Sequence, residues 1–375
     1  MNIAVFNNFM DNIGGSEMVT LFLARELNAD IYTTNIDAEK IKKMGFADVL
    51  GRIHSIGRVP RKAPFRHQLA FWKFRRLDLS GKYDFFIISG EWAMSGALRN
   101  HPNMWYVHGP LNELWEFGGF LRKYVLAKWH IPFYAAWVWV NRRLTLSYAR
   151  SVDVWVCNSK NTQGRIRRYY GKESAIINPP VDASGYEWRE GSGYWLSVSR
   201  LTAHKRIELQ MEAFRRLPHK RLVIVGSYES GAAQFESYKA RIEKMKPENV
   251  KLLHWVDADK LRTLYAECDG FVTTTRDEDF GMNVVEAMAA GKPVVAPNEG
   301  GYRETVTGET GMLIDGITAE KIADAIEEIS ERLRKNPAHY RDACVERARA
   351  FDIGAFTEKI RTAIEAADSG GDSRV

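Results

Sequence analysis

The sequence predicts an α/β protein made of two doubly wound, Rossmann-like halves, each a parallel sheet covered by helices, facing each other across a cleft. Three observations carry that expectation. The chain has 375 residues, more than one hydrophobic core usually serves. Short apolar runs alternate with amphipathic helical stretches along its whole length, the pattern of parallel sheets buried on both faces. The alternation then restarts after "INPPVDASGYEWREGSG" (177–193), which is rich in Pro, Gly and polar residues and reads as a linker.

In the first half, residues 1–180, "NIAVFNNF" is an apolar strand followed by the helical pattern "SEMVTLFLAREL". "DFFIIS", "MWYVHG" and "VDVWVCNS" are further buried-type strands, dominated by aromatic and β-branched residues. The second half, 185–350, opens with the strand "YWLSVSRL", the helix "KRIELQMEAFRRL" and the strand "RLVIVGS". A helix near 232–246, the strand "VKLLHWV" and the helix "ADKLRTLYAEC" come next, the last with "DAD" (257–259) at its start as an N-cap. "GFVTTT", the segment "RDEDFGMNVVEAMAAGKPVVA" (276–296), "TGMLI" and the helix "AEKIADAIEEISERL" complete the series. A last helix, 354–367, is expected to pack back on the first half. Ligands of open parallel sheets bind beyond the carboxyl ends of the strands, so candidate residues should follow strands directly.

Composition narrows the class. Hydrophobic content of 45% and aromatic content of 12% are enough for packed cores and argue against disorder. Cys157, Cys268 and Cys344 lie far apart without a CxxC or Cys/His partner, as buried thiols in a reducing compartment do. The N-terminus lacks the basic region of a signal peptide, and the run "HIPFYAAWVWVN" is too short to span a bilayer. A cytoplasmic location is expected. Charge is uneven: residues 1–185 carry 25 Lys+Arg against 15 Asp+Glu, or +10, and the remainder 28 against 32, or −4, which sum to the net +6. Residues 51–76 hold eight basic residues and no acidic one, and "KYVLAKWHIPFYAAWVWVNRR" mixes cations with aromatics. This half therefore fits an anionic partner, and a peripheral position on the inner face of a membrane follows as an expectation. A core helix with solvated charges outside would have the same composition. Nucleic acid is not expected, because no recognition motif accompanies the charge.

The chemistry concentrates after strands. In 276–296, Glu278 and Glu286 sit on either side of Phe280 and Gly281, with a helix beginning near Met282. Gly281 permits close approach of backbone, and helix-start amides at Met282 and Asn283 suit a phosphate. Carboxylates would repel a phosphate and address hydroxyls instead: Glu286 a ribose diol, Glu278 a sugar beyond the phosphates. Three adjacent acidic residues at 277–279 cannot all face one ion, so no metal site is expected. Arg200 closes a strand and Lys205 follows across a turn, two cations matched to a diphosphate. Gly14 and Gly15 follow the first strand and bring amides to an anion or make room for a substrate. His108 ends the strand "WYVHG" and is a hydrogen-bonding candidate from the first half. No P-loop, GxSxG or Ser/His/Asp order is present.

Taken together, "EDFGMNVVEAMAAGKPVVA", "GGSE", "VHG", "VCNSKNT", "INPPVD", "VSRLTAHKRIE", "LVIVGS" and the "GG" at 300–301 resemble the retaining glycosyltransferases of family 4, which have the GT-B fold. The "SRL" and "EDFG" variants look most like mannosyltransferases of polysaccharide and lipid-linked oligosaccharide assembly. The resemblance implies a nucleotide-sugar donor as substrate, GDP-mannose first, no cofactor and no metal, and a glycan or lipid-linked acceptor. It implies Arg200 and Lys205 on the donor diphosphate and Glu286 on the ribose. Glu278 with the backbone of Phe280 and Gly281 falls on the sugar, Trp255 and Val256 beside the base, Gly15 near the phosphate and His108 on the sugar. The catalytic set is then His108, Glu278, Arg200 and Lys205. Two departures stand out: His254 and Arg206 occupy positions where the family often has glycine. The alternatives are a UDP-sugar transferase, an epimerase or hydrolase, and a non-catalytic nucleotide binder on the same fold.

Overall fold

The computed structural model describes residues 1–11, 14–60, 65–110, 112–116, 130–226, 233–254 and 256–369. It divides into two units, Met1–Asn178 with Phe356–Val375, and Pro179–Ala355.

The first unit holds a seven-stranded sheet: β1 (Ile3–Phe6), β2 (Asp30–Thr33), β3 (Ile53–Ser55), β4 (Phe85–Ile88), β5 (Asn103–Val107), β6 (Val154–Cys157) and β7 (Ala175–Ile176). Their order is β3-β2-β1-β4-β5-β6-β7, and every pairing is parallel. The order reverses between β1 and β4, which opens a crevice at their carboxyl ends. Every residue of "IAVF", "FFII" and "NMWYV" is buried, as strands sandwiched between helix layers must be. Phe6 packs its ring 5.7 Å from Phe74 and 5.6 Å from Phe86, each such side chain contributing roughly 1.5–3 kcal/mol on burial. The last helix, Ile353–Ser369, brings Phe356 edge-on to Tyr106 at 5.9 Å, and Arg361 donates to the Glu26 carbonyl at 2.8 Å.

The second unit holds β8 (Tyr194–Val198), β9 (Arg221–Val225), β10 (Val250–Leu253), β11 (Gly270–Val272), β12 (Val294–Pro297) and β13 (Gly311–Ile314). Their order is β10-β9-β8-β11-β12-β13, again all parallel, with the reversal between β8 and β11. The N-cap expected at "DAD" is present: Asp257 accepts from the Lys260 amide at 2.8 Å. All three cysteines are free thiols in buried positions.

Two segments differ from a simple reading. The stretch expected as a linker is packed: Val181 is buried and donates to the Phe351 carbonyl at 2.9 Å, and Asp182 pairs with Arg262. Its apolar residues find the second core, which composition does not reveal. The helix Ile131–Tyr148 reverses the usual pattern. It buries Asn141, Thr145 and Tyr148 and leaves Phe133 70%, Trp139 58% and Val140 43% exposed. Residues 61–64 of the basic stretch and 123–129 of the aromatic one lie outside the described residues. Among those described, no helix is long and apolar enough to cross a membrane.

Candidate functional site

The turn after β8 and the loop after β11 are stitched together at the crevice of the second sheet. Lys205 ends a short 3-10 turn (Ala203–Lys205), and its ammonium meets Glu278 Oε2 at 2.7 Å. Their side chains are only 11% and 21% exposed, so the pair is poorly screened by water. Tyr302 also donates to that oxygen, at 3.3 Å, while its hydroxyl lies 2.9 Å from Thr273 Oγ1. Burial alone pushes the Glu278 carboxyl up, but the Lys205 charge and its hydrogen bond, with His204 and Thr275, hold it below its ordinary value of 4.5. Burial, reinforced by the neighbouring Lys205 charge, lowers His204 to about 4 and keeps its ring neutral.

The loop of 277–280 is shaped by its neighbours. Gly301 N–H donates to the Glu278 carbonyl at 2.8 Å. Gly300 has φ +56, and a Cβ there would stand 2.4 Å from the same carbonyl oxygen. Gly281 has φ +92, and a Cβ would meet the Tyr302 ring at 2.6 Å. Both positions therefore require glycine, one for the chain path of Glu278 and one for the start of the helix Met282–Ala289.

Arg206 explains one departure from the family pattern. Its φ of +51 is left-handed, where glycine is unstrained and other residues cost of order 1–3 kcal/mol. The guanidinium offsets that cost. It grips both Glu299 oxygens, at 3.2 and 2.9 Å, and its Nε donates to the Thr274 carbonyl. Thr274 Oγ1 in turn stands 2.7 Å from the Lys205 carbonyl and takes a bond from Gln210 at 2.9 Å.

Glu286 lies one turn into its helix and accepts from the Tyr265 hydroxyl at 2.7 Å. Burial raises its carboxyl above the ordinary value, opposed by Tyr265 and by Arg262. Tyr186, from the packed connecting segment, stands edge-on to Tyr265 with centroids 5.7 Å apart.

The remaining candidates divide. Arg200 is exposed just beyond β8 and close enough to act electrostatically on His204. Phe280 is 2% exposed with its ring 5.3 Å from Phe351, so its side chain is core and only its backbone can face a ligand. Met282 and Val256 pack partly on the second core. Asn283 spends its amide on the protein, donating to the Val198 carbonyl at 2.8 Å and accepting from Val284 N–H. Trp255 lies outside the described residues. In the first unit the Gly14 amide is already taken by the Glu17 carboxylate at 2.9 Å, and Gly15 is exposed at the helix start. His108 follows β5, and its Nε2 stands 2.8 Å from Ser89 Oγ just beyond β4; burial lowers the ring to about 4.

Reasoning from sequence did not find the Lys205–Glu278 pair, nor Tyr265 and Tyr302. A tyrosine in an amphipathic helix, as Tyr265 is, or at the start of a short one, as Tyr302 is, gives no signal until its hydroxyl is placed. Among the described residues no group of three or more His, Cys, Asp or Glu side chains gathers as a metal site would.

Residues 13–184 match the model described as Glycosyltransferase Family 4, and residues 182–351 the model for glycosyl transferases group 1. A Dictyostelium discoideum relative named GDP-Man:Man(3)GlcNAc(2)-PP-Dol alpha-1,2-mannosyltransferase is 27% identical over 51% of this chain and 40% of its own. The Saccharomyces cerevisiae alpha-1,3/1,6-mannosyltransferase ALG2 is 25% identical over 70% of this chain and 61% of its own. The chain thus spans less than two thirds of either relative. Among solved structures, Anabaena Alr3699/HepE in complex with UDP and glucose superimposes with a TM-score of 0.76 at 20% identity, covering 97% of this chain and 99% of that one. The fold is GT-B.

Gly300→Ala should lower stability by about 2 kcal/mol or more, read as a fall in Tm, because the new Cβ collides with the Glu278 carbonyl at a positive φ. An unchanged Tm would mean that the loop path is not fixed there. The lowered Glu278 carboxyl gives a second test. A group depressed on folding stabilises above its unfolded value and loses that contribution as pH falls through its folded one. The stability advantage of wild type over Glu278→Gln, from denaturant melts, should therefore be largest near neutrality and shrink as pH falls below 4.5.

Proposed function

As the chain belongs to glycosyltransferase family 4, we propose that it moves a hexosyl unit, mannose first, from a nucleoside diphosphate sugar to a hydroxyl of a glycan or lipid-linked glycan. The anomeric configuration is retained and no metal takes part. The observation that carries this is the Lys205–Glu278 pair at the reversal point of the second sheet. One ammonium proton serves Glu278, and the other two are left to point at phosphate oxygens. The carboxylate it holds ionised accepts from sugar hydroxyls. Glu286, one turn further on, takes the ribose, and Arg200 adds a second cation to the diphosphate. His108 is assigned to a sugar hydroxyl of donor or acceptor.

Negative charge grows on the departing phosphate as the glycosidic bond stretches toward an oxocarbenium-like state. Lys205 and Arg200 meet that charge with fixed donors, and the phosphate oxygen so held takes the proton of the attacking hydroxyl. The names of both relatives support mannose, and that of the Dictyostelium discoideum one supports GDP-mannose. The structure solved with UDP and glucose supports the second reading, a UDP-sugar donor.

The basic first unit is assigned to an anionic membrane surface carrying the acceptor. What supports this is the outward apolar face of the helix Ile131–Tyr148, where Arg143 lies 4.2 Å over the Trp139 ring. Trp72, 42% exposed on the helix Arg66–Arg76, is likewise covered by Arg75 at 4.8 Å. Neither helix contains an acidic residue. Arg–Trp pairs present charge and apolar surface together, as headgroup-level contacts require.

Three measurements check these assignments. Lys205→Met should lower kcat by roughly 10²–10³ with the circular dichroism of wild type, since it removes a preorganised donor to developing charge; Glu286→Ala should mainly raise KM for the donor. Wild-type turnover in both would defeat the site. Thermal shifts with GDP, UDP, ADP and their sugars identify the base, and nucleoside diphosphate release that needs no acceptor would favour a hydrolase. Co-sedimentation with anionic vesicles should weaken with salt and fall in Trp139→Ser; no binding at low salt would end the membrane assignment.

A further inference from the structure

We infer that the first unit fixes His108 as its Nε2–H tautomer and thereby presents Nδ1 as a hydrogen-bond acceptor to a sugar hydroxyl. The inference rests on the assignment of His108 to a ligand hydroxyl made above, and it follows from counting protons along four side chains beyond β1, β4 and β5. Phe9 N–H donates to Asn7 Oδ1 at 3.2 Å, which fixes the oxygen end of that amide. The other end, Nδ2, donates to Thr20 Oγ1 at 2.8 Å. Thr20 gives its one proton to the Ser16 carbonyl at 3.0 Å. It has none left for Ser89, so Ser89 donates across the 2.7 Å between their hydroxyls. Ser89, its own proton spent, can only accept from the ring nitrogen 2.8 Å away. Nε2 therefore carries the hydrogen.

Asn7, Thr20 and Ser89 are 3%, 0% and 4% exposed, so bulk water does not rescue a wrongly directed bond. The half-buried ring, lowered by desolvation to about 4, is neutral near pH 7, with one donor and one acceptor nitrogen. Asn158 Nδ2 holds the His108 carbonyl at 2.6 Å and sets the backbone from which the ring projects. Asn7, Thr20 and Ser89 are positioning residues: they touch no substrate and set which way the His108 hydrogen bond runs.

The tautomer is read in the full chain without ligand, from long-range proton–nitrogen correlation of ¹⁵N-histidine protein. The protein has nine histidines, and the His108 signals are those lost in His108→Asn. A neutral Nε2–H pattern is expected; an Nδ1–H or averaged pattern overturns the inference. Thr20→Val removes the acceptor of the Ser89 proton, which then turns to the ring and shifts the pattern toward Nδ1–H. An unchanged pattern would show that the relay does not set the tautomer. If Thr20→Val fails to fold, Ser89→Ala asks the same question and should give an averaged pattern. Deoxy and deoxyfluoro donors and acceptors then locate the hydroxyl. Its removal should cost wild type about five- to tenfold in kcat/KM and cost His108→Ala nothing. Fluorine accepts but does not donate, so it should restore none of that loss, and restoration would overturn the acceptor assignment. The expected tautomer with no hydroxyl behaving so would instead overturn the ligand-facing assignment, leaving the relay intact.

Discussion

One ion pair organises the second unit. Lys205 and Glu278 come from the ends of β8 and β11, the neighbouring strands between which the sheet order reverses. Neither could be held there alone. Removing one partner of a largely desolvated pair leaves an uncompensated charge, which costs about 3–5 kcal/mol when burial is complete and somewhat less here. The rest of the local structure keeps the pair in register. Thr274 ties the Lys205 backbone to β11, Tyr302 reaches the carboxylate, and Gly300 gives the Glu278 backbone room.

Much of this was legible in the sequence. Alternating apolar runs and helices gave the two parallel sheets, because strands buried on both faces must be apolar throughout, as "IAVF" and "VVAP" are. The candidate residues were legible because they follow strands, as Arg200, Lys205, Glu278 and His108 do, or sit in the helix that comes next, as Glu286 does. Partners were not. The sequence assigned Lys205 to phosphate and Glu278 to sugar without showing that they touch each other, since residues 73 positions apart carry no sign of contact. For the same reason Tyr265, which holds Glu286, was hidden in an ordinary amphipathic helix.

The two charged units solve different problems. In the second, the cations at the sheet reversal are paired, Lys205 with Glu278 and Arg206 with Glu299, which holds each at a defined point. In the first, Arg and Trp share an outward surface and the interior carries neutral polar groups: Asn7, Thr20 and Ser89 line up behind His108 without a formal charge among them. A neutral relay specifies direction where an ion pair specifies position.

Arg206 has an evolutionary consequence. A glycine there would relieve backbone strain at once, yet it would strip Glu299 of both bonds to the guanidinium. The reverse single step, loss of Glu299 first, leaves an arginine in an unfavourable conformation held only by its bond to the Thr274 carbonyl. Neither intermediate is comfortable, so the two positions form a ratchet: once the arginine and its carboxylate were acquired, the way back to glycine runs through a less stable ancestor, and the pair should persist together or vanish together among descendants.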